Sequence, residues 1–210
     1  MSQTNGTHLE PERYVTAIEE NSARLVEVLA GVDPTTPVPT CSEWTASDLL
    51  AHNAEVHESQ SEGAALRRQG HEAAMRRLDA ELTAAPDGSA RTMLEPMLAT
   101  DAVSDMLGLV TAATPDPATG STARGSGLLR IVASDTSTTW RVTVDAAAGA
   151  VEVAETNPAD GTVRPDAIYT GTAEDLLCTF WKRPALTAPH SAGDPNLVAT
   201  FEQAVSRFVG

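Results

Sequence analysis

Cysteine is scarce in this 210-residue chain. Cys41 and Cys178 stand far apart with no C-x-x-C spacing, which excludes both a zinc knuckle and a disulfide framework. Reduced thiols and a cytoplasmic location are the expectation. Basic residues are also few, 14 Lys and Arg against 29 Asp and Glu, giving a formal net charge of -15. With no local Lys/Arg cluster to offset that charge, nucleic acid is not an expected partner. No segment approaches the ~18 apolar residues of a membrane span. The opening MSQTNGTHLEPERY lacks the apolar core of a signal peptide, so no membrane partner is expected either. Aromatics make up only 4% of the chain while Ala, Gly, Thr and Asp abound, a bias that speaks of coding composition more than of function. The 41% of hydrophobic residues nevertheless suffices for one large domain or two small ones without covalent staples.

The most informative stretch is EWTASDLLAHNAEVHE, residues 43–58. Thr45 or Ser47 can cap a helix there, and Asp48 adds negative charge where the helix dipole is positive. Leu49, Leu50, Asn53, Val56 and His57 recur at helical spacing, and His52 projects beside the Leu49 and Val56 stripe. Before it, Tyr14, Ile18, Leu25, Val28 and Leu29 mark an amphipathic helix over 10–31, and the proline-rich VDPTTPVPTCSEW forms an extended connector. A turn at Ser59–Gly63 leads into a third helix, about 64–84. Antiparallel pairing about a turn centred near Ser61 brings His52 opposite His71 and Glu72. A fourth helix spans roughly 90–112, with Met93, Leu94, Met97, Leu98, Val103, Met106, Leu107 and Val110 inward. Pro96 either starts that helix or kinks it.

ATPDPATGSTARGS, residues 113–126, has the composition of a linker. Beyond it the period becomes strand-like at LLRIVA, TWRVTV, AVEVAE and DAIYT, which form an antiparallel sheet. Thr172 caps a helix that Pro184 stops, and Asp194 with Pro195 opens a last one. The fold class is therefore α+β: a helical bundle over 1–112, a linker over 113–126, and an α/β domain over 127–210 whose helices cover one sheet face.

The runs PVPTCSEWTASDLLAHNAEVH, HEAAMRRLDAEL, LATDAVSDML, DAIYTGTAEDLLCTFWKR and AGDPNLVATF resemble the mycothiol-dependent maleylpyruvate isomerase family of actinobacteria. The resemblance implies a DinB-like four-helix bundle joined to a small domain likened to sterol carrier proteins. It also implies a divalent metal, typically zinc, held in the bundle by the residue at His52 and by a Glu-x-x-x-His pair on the third helix. The metal activates the thiol of mycothiol, because coordination makes a sulfhydryl a thiolate near neutral pH. Glu72 matches the glutamate, but Arg76 stands where the histidine is expected.

That departure alters the expected site. One His and one Glu are too few for a firm zinc site, and Arg76 at i+4 from Glu72 forms an ion pair in the ligand's place. His71 and His57 are displaced in helical phase from the family position, His71 at the bundle flank and His57 on a solvated or boundary face. Only nineteen residues separate His52 from Glu72, fewer than the family usually has, so a shortened bundle is expected. Arg183 resembles a family arginine that reaches a substrate carboxylate, and equally suits the C-terminal end of its helix. Arg77 and Asp79 read as an exposed helix pair, Cys41 as a small apolar group, and His190 as a loop residue. Trp44, Trp140 and Trp181 read as core or interface anchors.

Two functions follow. One is a family member with an altered metal site at His52 and Glu72, acting on or binding a small metabolite in the cleft between the domains, as a thiol-dependent isomerase or S-transferase if active. The other is a metal-free small-molecule binding protein or acid-base isomerase using His52 and Glu72.

Overall fold

The computed structural model describes residues 9–57, 63–112, 125–145, 150–156 and 163–207. The chain divides into two compact units, Met1–Leu98 and Ala99–Gly210. The first carries α1 (Pro11–Leu29), β1 (Pro37–Val38), β2 (Cys41–Thr45), α2 (Ala46–His57), α3 (Ala64–Ala84) and the first residues of α4 (Pro96–Ala112). The second carries the rest of α4, β3 (Gly127–Ala133), β4 (Thr138–Asp145), β5 (Ala150–Thr156), β6 (Ala167–Gly171), α5 (Ala173–Phe180), β7 (His190–Gly193) and α6 (Pro195–Ser206). The division falls inside α4. Most of the proline-rich run expected as the linker, residues 113–124, lies outside the described residues. No helix among the described residues is long and apolar enough to cross a membrane.

In the first unit, α1 begins at Pro11, whose missing N–H costs nothing in the first helical turn. The start of α2 is fixed by a reciprocal cap. Thr45 Oγ1 accepts from the Asp48 N–H at 3.3 Å, while the Asp48 carboxylate accepts from the Thr45 N–H at 2.9 Å and from its hydroxyl at 2.7 Å. Those hydrogen bonds hold the Asp48 carboxyl below the usual carboxylate range. The extended connector pairs with itself as the β1–β2 hairpin.

Helix directions follow from side-chain contacts. Tyr14 meets His71 ring to ring and Arg24 meets Glu81, so ten residues on α1 match ten on α3 and the two helices run parallel. Ser22 donates to Asn53, and Leu25 and Leu29 share a core cluster with Leu49 and Ala46, so α2 runs antiparallel to both. Val38, Ala80 and the partly buried Trp44 complete that cluster. The helix expected from about 90 begins at Pro96, the position where a missing N–H is tolerated, and Glu95 accepts from the Leu98 N–H at 2.7 Å. Met93 and Met97, expected inward, are exposed.

The second unit corrects the expected antiparallel sheet. Its five strands run in the order β5-β4-β3-β6-β7, and β6 joins β3 in parallel, Ile131 standing opposite Tyr169. The other three pairings are antiparallel. β7 occupies a stretch expected as loop, so His190 lies on an exposed edge strand. Leu129, Ile131, Trp140, Val142 and Val144 supply the buried positions of β3 and β4. Phe180 of α5 packs against Tyr169 and edge-on against Phe201 of α6. Trp140 Nε1 donates to Ser104 Oγ of α4 at 3.0 Å, which ties that helix to β4. Both expected caps are present: Thr172 accepts from the Asp175 N–H, and Asp194 from the Asn196 N–H.

Candidate functional site

The chemistry-bearing side chains of the first unit gather along α3. Every residue from Ala73 to Thr83 is buried, and that run contains Arg76, Arg77, Asp79 and Glu81. Four charged groups inside one helix demand partners, because a buried charge without one costs several kcal/mol. In the C-terminal half they have them. Glu81, fully buried, accepts from Arg24 Nε at 3.3 Å, the Thr92 N–H at 3.1 Å and the Thr92 hydroxyl at 2.7 Å. Arg77 donates from Nη1 to Thr92 Oγ1 at 3.0 Å and from Nη2 to the Thr92 carbonyl at 2.8 Å, with Nε 3.9 Å from Glu81. Asp79 accepts from the Thr40 hydroxyl at 2.7 Å. Arg77 and Asp79, expected as an exposed helix pair, are thus both buried, Asp79 fastening the β1–β2 turn and Arg77 the segment before α4 onto α3. Glu81 and Arg24 escaped sequence reasoning. The i,i+4 spacing of Arg77 and Glu81 was the signal for part of this network.

One turn toward the N-terminus the pattern changes. Arg76 is 6% exposed, yet its single charged contact among the described residues is Glu72, with Nη1 3.8 Å from a carboxylate whose side chain is 50% exposed. The Nε and Nη2 atoms are buried and have no hydrogen-bond partner among the described residues. Burial pulls the guanidinium's pKa below its ordinary value, the Glu72 charge acting against that, and the group remains protonated near neutral pH.

His52 lies half-buried on α2, its ring 5.1 Å edge-on from Trp44. Trp44 therefore orients the imidazole. Leu49 and Ala80 belong to the same core cluster, and one further turn along the antiparallel pair leads to His52 and Asn53 on α2 and to Arg76 on α3. Asn53 is buried and accepts from Ser22 at 3.2 Å.

The remaining candidates are placed elsewhere. His71, expected at the bundle flank, is buried against α1 with its ring 5.9 Å edge-on from Tyr14. A Cβ on the neighbouring Gly70 would come 3.1 Å from that tyrosine ring. His57 ends α2, and its side chain lies outside the described residues, as does the turn near Ser61. Arg183 belongs to the second unit, where its Nη1 donates to the Trp181 carbonyl at 3.1 Å at the close of α5. Cys41 is exposed and Cys178 buried, both free thiols.

The residues present fit a resident zinc ion poorly. No group of three or more His, Cys, Asp and Glu that could hold a metal occurs among the described residues. The Glu72 carboxylate already faces a guanidinium, and a dication bound there would meet a buried like charge. What α3 does offer is a buried cation with two donors that meet no hydrogen-bond partner among the described residues.

Residues 15–138, more than half of the chain, match the family model described as the mycothiol maleylpyruvate isomerase N-terminal domain. No curated protein and no solved structure matches the chain.

Proposed function

Because this chain belongs to the mycothiol maleylpyruvate isomerase N-terminal domain family, we propose that it is a member with an altered metal site, binding a small metabolite beside His52 and Glu72 in the helical unit. The observation that carries this reading is the Arg76–Glu72 ion pair. It places a buried cation on the carboxylate that the family resemblance assigns to the metal.

The DinB-like four-helix architecture that the resemblance implies belongs to the same proposal, with α1, α2 and α3 as its members in this chain. Mycothiol remains the thiol suggested by the family. With no metal to acidify it, the proton of a bound thiol would pass to the His52 imidazole, which Trp44 holds in orientation, while Glu72 stays with Arg76. Arg183 takes the role of closing α5, where its donor meets the Trp181 carbonyl near the negative end of the helix dipole.

The test is metal content. Protein purified without chelator should carry far less than one zinc per chain, and Arg76→His should gain zinc that Arg76→His with His52→Ala then loses. Near-stoichiometric zinc in the unaltered protein, abolished by His52→Ala, would overturn the altered-site reading.

A further inference from the structure

Resting on that reading, we propose that Arg76 is an anion-binding residue, and that the ligand it takes is a carboxylate held side-on by Nε and Nη2. The two free atoms are the ones that define the ligand. In a guanidinium, Nε–H and one Nη2–H point in parallel from a single edge, at the spacing of the two oxygens of a carboxylate. Nη1, on the opposite side of the group, is the atom turned to Glu72 at 3.8 Å. The internal ion pair therefore leaves the bidentate edge of Arg76 untouched.

Its neighbour on the helix shows what a fold does with a guanidinium that is purely structural. Arg77 is just as buried, and two acceptors of Thr92 meet its Nη atoms at 3.0 and 2.8 Å. Only its Nε, 3.9 Å from Glu81, is left without a hydrogen bond among the described residues, whereas Arg76 lacks a partner at both Nε and Nη2. Backbone and hydroxyl acceptors were thus within reach of this helix. None among the described residues meets the Nε–Nη2 edge of Arg76. A buried donor left unsatisfied costs about 1–3 kcal/mol, and more on a charged group. An anion seated on that edge would recover this cost and would neutralise a guanidinium that Glu72, half-exposed, screens only partly.

A carboxylate suits the edge better than a halide or a tetrahedral anion. Two coplanar oxygens accept both parallel N–H groups at once, which a halide cannot do, and the single charge of a carboxylate matches one guanidinium where the double charge of a sulfate or phosphate exceeds it. Both donor atoms of that edge are themselves buried, so a carboxylate on it is held out of bulk water. His52 and Asn53, one turn beyond Leu49 on α2, are the residues the helix register brings to the same level. The acid moiety of a metabolite on Arg76 would thus set the remainder of the molecule near the imidazole.

The experiment titrates the full-length protein with sodium acetate, with sodium chloride and sodium sulfate at matched ionic strength as controls. The Nε–H resonance of Arg76 is followed by NMR, assigned by through-bond connectivity to the Arg76 backbone in the unaltered protein, and zinc content is measured on the same sample. Acetate should move that resonance saturably and raise the unfolding temperature, with neither control doing so. Arg76→Lys, which keeps the charge but presents no parallel donor pair, should bind acetate about tenfold or more weakly. An Arg76 resonance unmoved by acetate, or moved equally by chloride or sulfate, would overturn the proposal even in zinc-free protein. Full zinc occupancy would overturn the altered-site reading instead. The resonance is read in unaltered protein, so the result stands even if a variant fails to fold.

Discussion

Arg76 and Arg77 are adjacent, equally buried and identical in chemistry, yet the protein treats them differently. Arg77 is built into a network with Thr92, Glu81 and Arg24 that fastens the chain ahead of α4 to α3. Among the described residues, Arg76 has one loose ion pair and a bare edge. Arg77 Nε, like that of Arg76, makes no hydrogen bond among the described residues, but both Nη atoms of Arg77 are held by Thr92, and a guanidinium held in that way is part of the scaffold. One held in the interior with its best donors idle is poised for something that the folded chain itself does not supply.

That contrast can be broken at its firm end first. Glu81→Ala removes the carboxylate between two arginines and should cost about 3–5 kcal/mol in urea unfolding, because it strands buried positive charge. A loss below about 1 kcal/mol would mean that the network is ornamental. Thr92→Val deletes the hydroxyl shared by Arg77 and Glu81 while keeping the backbone acceptor, and a loss of about 1–3 kcal/mol is expected in the same measurement. Thr40→Val withdraws one donor from Asp79 and should cost about 1 kcal/mol, read as a lower unfolding temperature. The smallest effect belongs to the loose end. Glu72→Gln breaks a half-exposed pair at 3.8 Å and should change stability by less than about 1 kcal/mol, the value expected of a weak surface pair.

The sequence disclosed the parts of this molecule governed by local rules. The caps at Thr45 and Asp48, at Thr172 and at Asp194 each depend on residues a few positions apart, and Pro96 marked one of the two starts open to α4. Strand order was not readable in this way. Alternation identifies a strand but not its neighbour, so the parallel docking of β6 on β3 had no local signal, and the polar HSAG of β7 showed no alternation at all. Burial of charge was hidden for a similar reason. Arg77, Asp79 and Glu81 look like a solvated helix face until Arg24, Thr40 and Thr92 arrive from distant segments to satisfy them. His71 went the same way, since only the parallel packing of α1 brings Tyr14 over it. At the candidate site, the helix and its polar residues were legible. That the Arg76 guanidinium would keep its bidentate edge free was not, because it depends on which acceptors the rest of the fold withholds.

The most direct measurement compares the unfolding free energies of Arg76→Met and Arg77→Met, determined side by side in urea. Methionine keeps the length of the buried stem while removing the charge. Arg77→Met should cost about 3 kcal/mol, since it removes both donors that Thr92 receives and takes one of two arginines away from the buried Glu81. Arg76→Met should cost less than about 1 kcal/mol or stabilise the protein, since it removes an unsatisfied buried cation. Equal losses for the two variants would show that the fold holds Arg76 as firmly as Arg77, and would contradict the account.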